Sequence, residues 1–123
     1  GLYSTLRDLW KFGQMTLNGG TFNGKRIISR KALEHMTTNC LKPNTPAFHW
    51  GDNYQDFRYG LGFSLLLSEL LSPDTFNHEG FGRSTLYMDP TERLVAVYFL
   101  PADQDWVPEA IINPRAITWS GLL

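Results

Sequence analysis

Apolar residues near the start of the chain recur at helical spacing. Leu6, Leu9, Trp10, Gly13 and Leu17 share one face of a helix predicted over residues 5–18. Thr5-Leu6-Arg7-Asp8 reads as a capping box, in which the hydroxyl and the acid three residues on satisfy free backbone N–H groups; Ser4 is an equally good cap. Gly13 weakens helix propensity, which points to close packing there. Asn18-Gly19-Gly20 ends the helix, since glycine accepts the left-handed conformation. The run TFNGKRII then predicts a small hairpin turning at Asn23-Gly24. Ser29 caps a second helix to about Thr38, with Leu33 and Met36 pointing inward.

Residues 39–58 lose this periodicity. Two prolines among mixed polar and aromatic residues predict one long loop, of the kind often tied to function. From Tyr59 the pattern becomes alternating. YGLGFSLLL puts Tyr59, Leu61, Phe63, Leu65 and Leu67 on one face of a strand. Gly60, Gly62 and Ser64 lie on the other, where a second element is able to approach closely. STLYM and LVAVYFL predict two more strands, spanning 82–89 and 93–100 and joined by a tight turn at Asp89-Pro90-Thr91-Glu92. Because LVAVYFL is apolar on both faces, it is expected to be a covered central strand. Asn113 and Pro114 read as the cap and first residue of a short last helix through Ser120. The whole predicts an α+β domain with an antiparallel sheet of about three strands and helices packed on it.

Composition narrows the function classes. With 123 residues, 42% hydrophobic and 14% aromatic, the chain suits one compact domain with a real core. A net charge of −1 with dispersed acids and bases gives no basic stripe for nucleic acid. The aromatic stretch DNYQDFRYG is offset by Asp52 and Asp56. No apolar run reaches the ~20 residues of a spanning helix. No signal peptide is expected within these residues. The chain has no initiator Met and goes straight into a helix signal, so it reads as a processed chain or an excised fragment. Cys40 is the only cysteine, and no local motif makes it catalytic. His35, His49 and His78 lack ligand spacing, so no metal site is expected.

Candidate chemistry concentrates at FNHEGFGRSTLYMDP, residues 76–90. On local features alone, the favoured reading is a glycine-containing strand entrance with an exposed His78–Glu79 pair. No G-x-S-x-G elbow is present. None of Ser4, Ser29, Ser64, Ser68, Ser72, Ser84 and Ser120 has a lysine three residues on.

The ordered set GLYSTLRDLWKFGQMTLNGGTFNGKRIISRKALEHMTTN, YGLGFSLL and HEGFGRSTLYMDPTERLVAVYFL changes the weighting. It resembles the C-terminal half of the serine β-lactamase and penicillin-binding-protein-like family, closest to the class C β-lactamase and esterase branch. The likeness is least from Cys40 to Arg58 and after Pro101. It implies that residues 1–123 are the C-terminal portion of a β-lactamase/transpeptidase-like domain. Family members use S-x-x-K, a Tyr-containing motif, and K-T-G or H-x-G on the strand edging the cleft. Only the third is visible, as His78-Glu79-Gly80; the other two would lie upstream of Gly1.

By this resemblance, His78 takes the lysine's place and tunes the proton transfers of Ser or Tyr hydroxyls. Gly80 lets the backbone approach the substrate. The Phe81 N–H is one of two oxyanion-hole donors. Glu79 departs from the family's Thr or Ser. If it faces the cleft, it repels a substrate carboxylate by on the order of 1 to a few kcal/mol, and neutral esters are favoured over β-lactams. Strand alternation turning it away would remove that argument. The implied parent is a bacterial-type serine hydrolase that cleaves a small ester, amide or β-lactam through an acyl-enzyme, with no cofactor implied. The chain alone is expected to be inactive and to self-associate through apolar surface left uncovered. The competing reading is a non-catalytic binding or structural module of the same fold. A cell-envelope or extracellular location is implied by the resemblance only.

Overall fold

The computed structural model describes residues 2–45, 47–49, 52–54, 57–65, 70–80, 84–100 and 109–122, with backbone alone at 47–49, 52–54 and 109–111. Helix α1 spans Leu6–Leu17. Its N-cap is Thr5, whose hydroxyl accepts from Asp8 N–H at 3.1 Å. The buried face differs from the expected stripe. Gly13, Met15 and Thr16 are buried, whereas Leu6 and Trp10 are exposed. Gly13 meets the sheet closely: a Cβ built there would lie 2.5 Å from Val95 Cγ1.

The hairpin follows, with β1 (Thr21–Phe22) and β2 (Lys25–Arg26) antiparallel. Asn23 and Gly24 both carry positive φ, 47° and 74°, as a two-residue turn of this hand requires. Helix α2 (Arg30–Met36) is capped by Ser29, which accepts from Ala32 N–H at 3.0 Å. Leu33 is buried, and Met36 packs against the core.

Two expectations fail between Asn39 and Leu67. The predicted loop contains an antiparallel hairpin, β3 (Ala47–His49) with β4 (Asp52–Tyr54). Conversely, the strand predicted from Tyr59 does not run. Tyr59 and Ser64 bridge each other, and Gly62 has φ 90°, so the chain doubles back within a few residues. Gly60 is buried against the end of α2, where an added Cβ would collide with the Met36 carbonyl. The glycines therefore made a turn rather than a smooth strand face. Phe63 and Leu65 still enter the core, while Leu61 is exposed. Leu66 and Leu67 lie outside the described residues.

The main sheet holds β5 (Phe76–Glu79), β6 (Ser84–Asp89) and β7 (Leu94–Phe99), antiparallel in the order β5-β6-β7. The hairpin predicted between residues 82–89 and 93–100 is thus present, but its partner is β5 and not the Tyr59 segment. That segment touches β5 only where Ser64 bridges Asn77. Nor is LVAVYFL central. Among the described residues β6 takes the middle, buried from Thr85 to Asp89, and β7 lies at the edge. Strand β7 is apolar on both faces because both faces of the sheet are covered. Phe76, Leu86 and Met88 form one face with Phe63 and Leu65, and Leu17, Met36, Val95 and Val97 pack on it. Tyr87 and Ala96 form the other with Leu71 and Trp119, joined by Leu94 and Tyr98.

Trp119 comes from α3, Glu109–Ser120. This helix contains Pro114 instead of starting at it. A proline lacks only its own N–H bond and strains one carbonyl of the preceding turn. The Pro114 carbonyl is itself well used, accepting from the Thr118 hydroxyl at 2.8 Å and from Tyr98 at 3.4 Å.

Candidate active-site wall

β5 is short and carries the H-x-G residues at its C-terminal end. Its register pairs Asn77 with Tyr87, His78 with Leu86 and Glu79 with Thr85. Period-2 alternation puts Phe76 and His78 on the α1 face and Asn77 and Glu79 on the α3 face. His78 is exposed, and its ring makes no hydrogen bond among the described residues. Gly80 is half-buried and donates its N–H to Ser84 O at 2.7 Å. A cavity of about 170 Å³ opens here, lined by Leu9, His78, Gly80, Ser84, Thr85 and Leu86. A Cβ on Gly80 would meet Ser84 Oγ at 2.5 Å, so the glycine keeps this corner open. The structure thus brings His78 and Gly80 to one cavity. Phe81 lies outside the described residues.

Glu79 goes elsewhere. Its Oε1 accepts from the Tyr87 hydroxyl at 2.7 Å on the face opposite His78. Burial, together with the Glu79 carboxylate beside it, pushes the Tyr87 phenol above its ordinary value; Arg115 opposes this. Tyr87 therefore stays a protonated donor. The expectation of a negative charge beside a substrate carboxylate loses its geometric premise, and with it the preference for neutral esters.

Sequence reasoning missed Tyr87, Arg115 and Ser84 as neighbours of this strand. Strand alternation alone would have separated Glu79 from His78. Pairing Glu79 with Tyr87 required the register across residues 80–83, which no pattern in the sequence sets. Among the described residues, no three His, Cys, Asp or Glu side chains gather as metal ligands. No described helix is long and apolar enough to cross a membrane.

An antiparallel sheet between helices, with His78 and Gly80 opening on a cavity beside its edge strand, makes part of an α+β domain. The Beta-lactamase family model matches residues 1–117, and the chain belongs to that family. A family VIII carboxylesterase structure is 30% identical with a TM-score of 0.64, covering 94% of this chain and 31% of that one. A penicillin-binding protein homolog from Caulobacter crescentus shares the fold at 22% identity and a TM-score of 0.63, covering 94% of this chain and 31% of its own. A Salmonella typhi protein named "Putative D-alanyl-D-alanine carboxypeptidase" is 24% identical over 123 residues. The chain spans about a quarter of that relative, 27% of its length.

Proposed function

We propose that these 123 residues supply one wall of an acyl-transfer site in a serine hydrolase acting on a small-molecule ester, amide or β-lactam. The observation that carries this reading is the exposed His78 ring beside Gly80 on one cavity, in a chain of the Beta-lactamase family. A 30% identical carboxylesterase structure adds support for ester chemistry. In this reading the His78 imidazole hydrogen-bonds the hydroxyl of the nucleophile or of a tyrosine and steers its proton. Gly80 leaves room for the reacting carbonyl. The Phe81 N–H is one oxyanion donor; the other belongs to the nucleophilic serine. Glu79 does not touch substrate.

The nucleophile is not among these residues, because no serine has a lysine at the S-x-x-K spacing. By itself the chain is inactive and associates through Leu6 and Trp10, which α1 leaves exposed. The full protein works in the cell envelope or outside the cell.

The test is to treat the 123-residue chain with p-nitrophenyl acetate, nitrocefin and a fluorophosphonate probe, beside the same chain joined to a segment carrying S-x-x-K. The short chain should give neither turnover nor adduct, and the longer one both. A stoichiometric adduct on one serine of the short chain would overturn the assignment of roles. A longer protein that carries the motif and stays inert would make the fold a binding or structural module.

A further inference from the structure

Among the described residues, the strand bearing His78 ends at an open edge. Asn77 exchanges both backbone bonds with Ser64, at 2.8 and 2.9 Å. Alternation then turns the backbone of His78 and Gly80 inward to β6, and Gly80 N–H reaches Ser84 O. The backbone of Glu79 faces outward one step beyond Ser64, and no bond meets it there among the described residues. Among the described residues, the last residues of β5 are therefore held from one side by the ladder and by a single side-chain bond, from Tyr87 to Glu79 at 2.7 Å.

That bond has a rigid anchor. Tyr87 is 0% exposed and packs edge-on against Trp119, with ring centroids 5.6 Å apart. Arg115 of α3 is also buried, and its Nε has no partner among the described residues. Its charge lies near the same hydroxyl. The anchor thus runs from the last helix through the central strand to the residue between His78 and Gly80.

We infer that Glu79 and Tyr87 are positioning residues: their bond on one face of the sheet holds the end of β5 so that His78 and Gly80 present to the cavity on the other face. The consequence for catalysis rests on the proposed function. The effect on the strand does not, and is measurable without turnover.

The experiment is amide hydrogen exchange by NMR on the chain and its Tyr87→Phe, Glu79→Ala and Glu79→Gln variants. A hydrogen bond to a charged acceptor is strong enough that its loss should speed exchange at Gly80 about tenfold or more. Tyr87→Phe and Glu79→Ala should both do this, while Met88 and Val97 in the β6–β7 hairpin stay within about twofold. Glu79→Gln keeps an acceptor and should restore protection at Gly80 to within about threefold of the parent. Glu79 is only half-buried, so Glu79→Ala carries the test even where Tyr87→Phe fails to fold. In the longer protein carrying S-x-x-K the same two variants should lower kcat with little change in KM, with Gln again rescuing. Unchanged exchange at Gly80, or a uniform rise across all three strands, would overturn the inference. Failure of that protein to hydrolyse any substrate would sink the proposed function and leave the exchange result standing.

Discussion

Replacing Asp89 should unfasten the last helix from the sheet. Asp89 ends β6, is 0% exposed, and accepts two hydrogen bonds: from Glu92 N–H across the β6–β7 turn at 3.0 Å, and from the Trp119 indole of α3 at 2.8 Å. Burial pushes its carboxyl up, but the Glu92 N–H and Trp119 indole donors outweigh that and hold it below its ordinary value of 3.8. Hydrogen bonds to charged groups contribute about 1.5–3 kcal/mol each, and a buried donor left without an acceptor costs about 1–3 kcal/mol. Asp89→Ala removes both bonds and strands the Trp119 N–H, so the expected loss is about 3–5 kcal/mol. That is a large part of an ordinary domain's stability of roughly 5–15 kcal/mol. Asp89→Asn keeps one acceptor but sets its NH₂ against the second donor, for a loss of about 2 kcal/mol. Urea unfolding followed by circular dichroism reads both, and a cycle with Trp119→Phe isolates the pair. The pH dependence has a definite sign. A carboxyl whose folded pKa is depressed gives its full contribution above the unfolded value near 3.9, and loses it as pH falls through the lower folded value. The gap between parent and Asp89→Ala should therefore be full at pH 7 and shrink below about pH 4. An Ala variant within 1 kcal/mol of the parent, or a gap that widens in acid, would refute the reasoning.

Gly13→Ala should destabilise by about 1–2 kcal/mol, because overpacking against Val95 outweighs the roughly 1 kcal/mol gain in helix propensity. Adding Val95→Ala should relieve the clash in part, so thermal unfolding of the double variant should show non-additivity; a Gly13→Ala variant more stable than the parent would contradict this. Sedimentation of the isolated chain should show concentration-dependent association, reduced by the Leu6→Ser, Trp10→Ser double change. A strictly monomeric parent chain would count against the exposed face of α1 as the contact.

The sequence made most local features of the fold readable. Thr5, Ser29 and Asn23-Gly24 act through bonds within a few residues, and each cap and turn is where the residue chemistry places it. The β6–β7 hairpin was legible for the same reason, since its strands are contiguous and closed by a short turn. What was hidden depends on distant partners. The face that α1 buries depends on its packing against β6 and β7, where Gly13 meets Val95 some eighty residues away in sequence. Strand order is another case: LVAVYFL is apolar on both faces whether it lies centrally or at an edge, provided helices cover both faces. The Tyr59 segment alternates like a strand, yet Gly60 and Gly62 let it turn back against α2. At the site, H-x-G was visible as a short string. The partner of Glu79 was not, because it depends on the β5–β6 register that sets Tyr87 beside it.

The central claim is that His78 acts on the proton transfers of acylation. The most direct measurement is the acylation rate of the protein bearing the S-x-x-K segment, parent against His78→Ala, by stopped flow with a p-nitrophenyl ester. The account predicts a fold unchanged by circular dichroism and acylation slowed by roughly a hundredfold or more, the scale of a positioned acid–base group. A folded His78→Ala variant that acylates at the parent rate would contradict it.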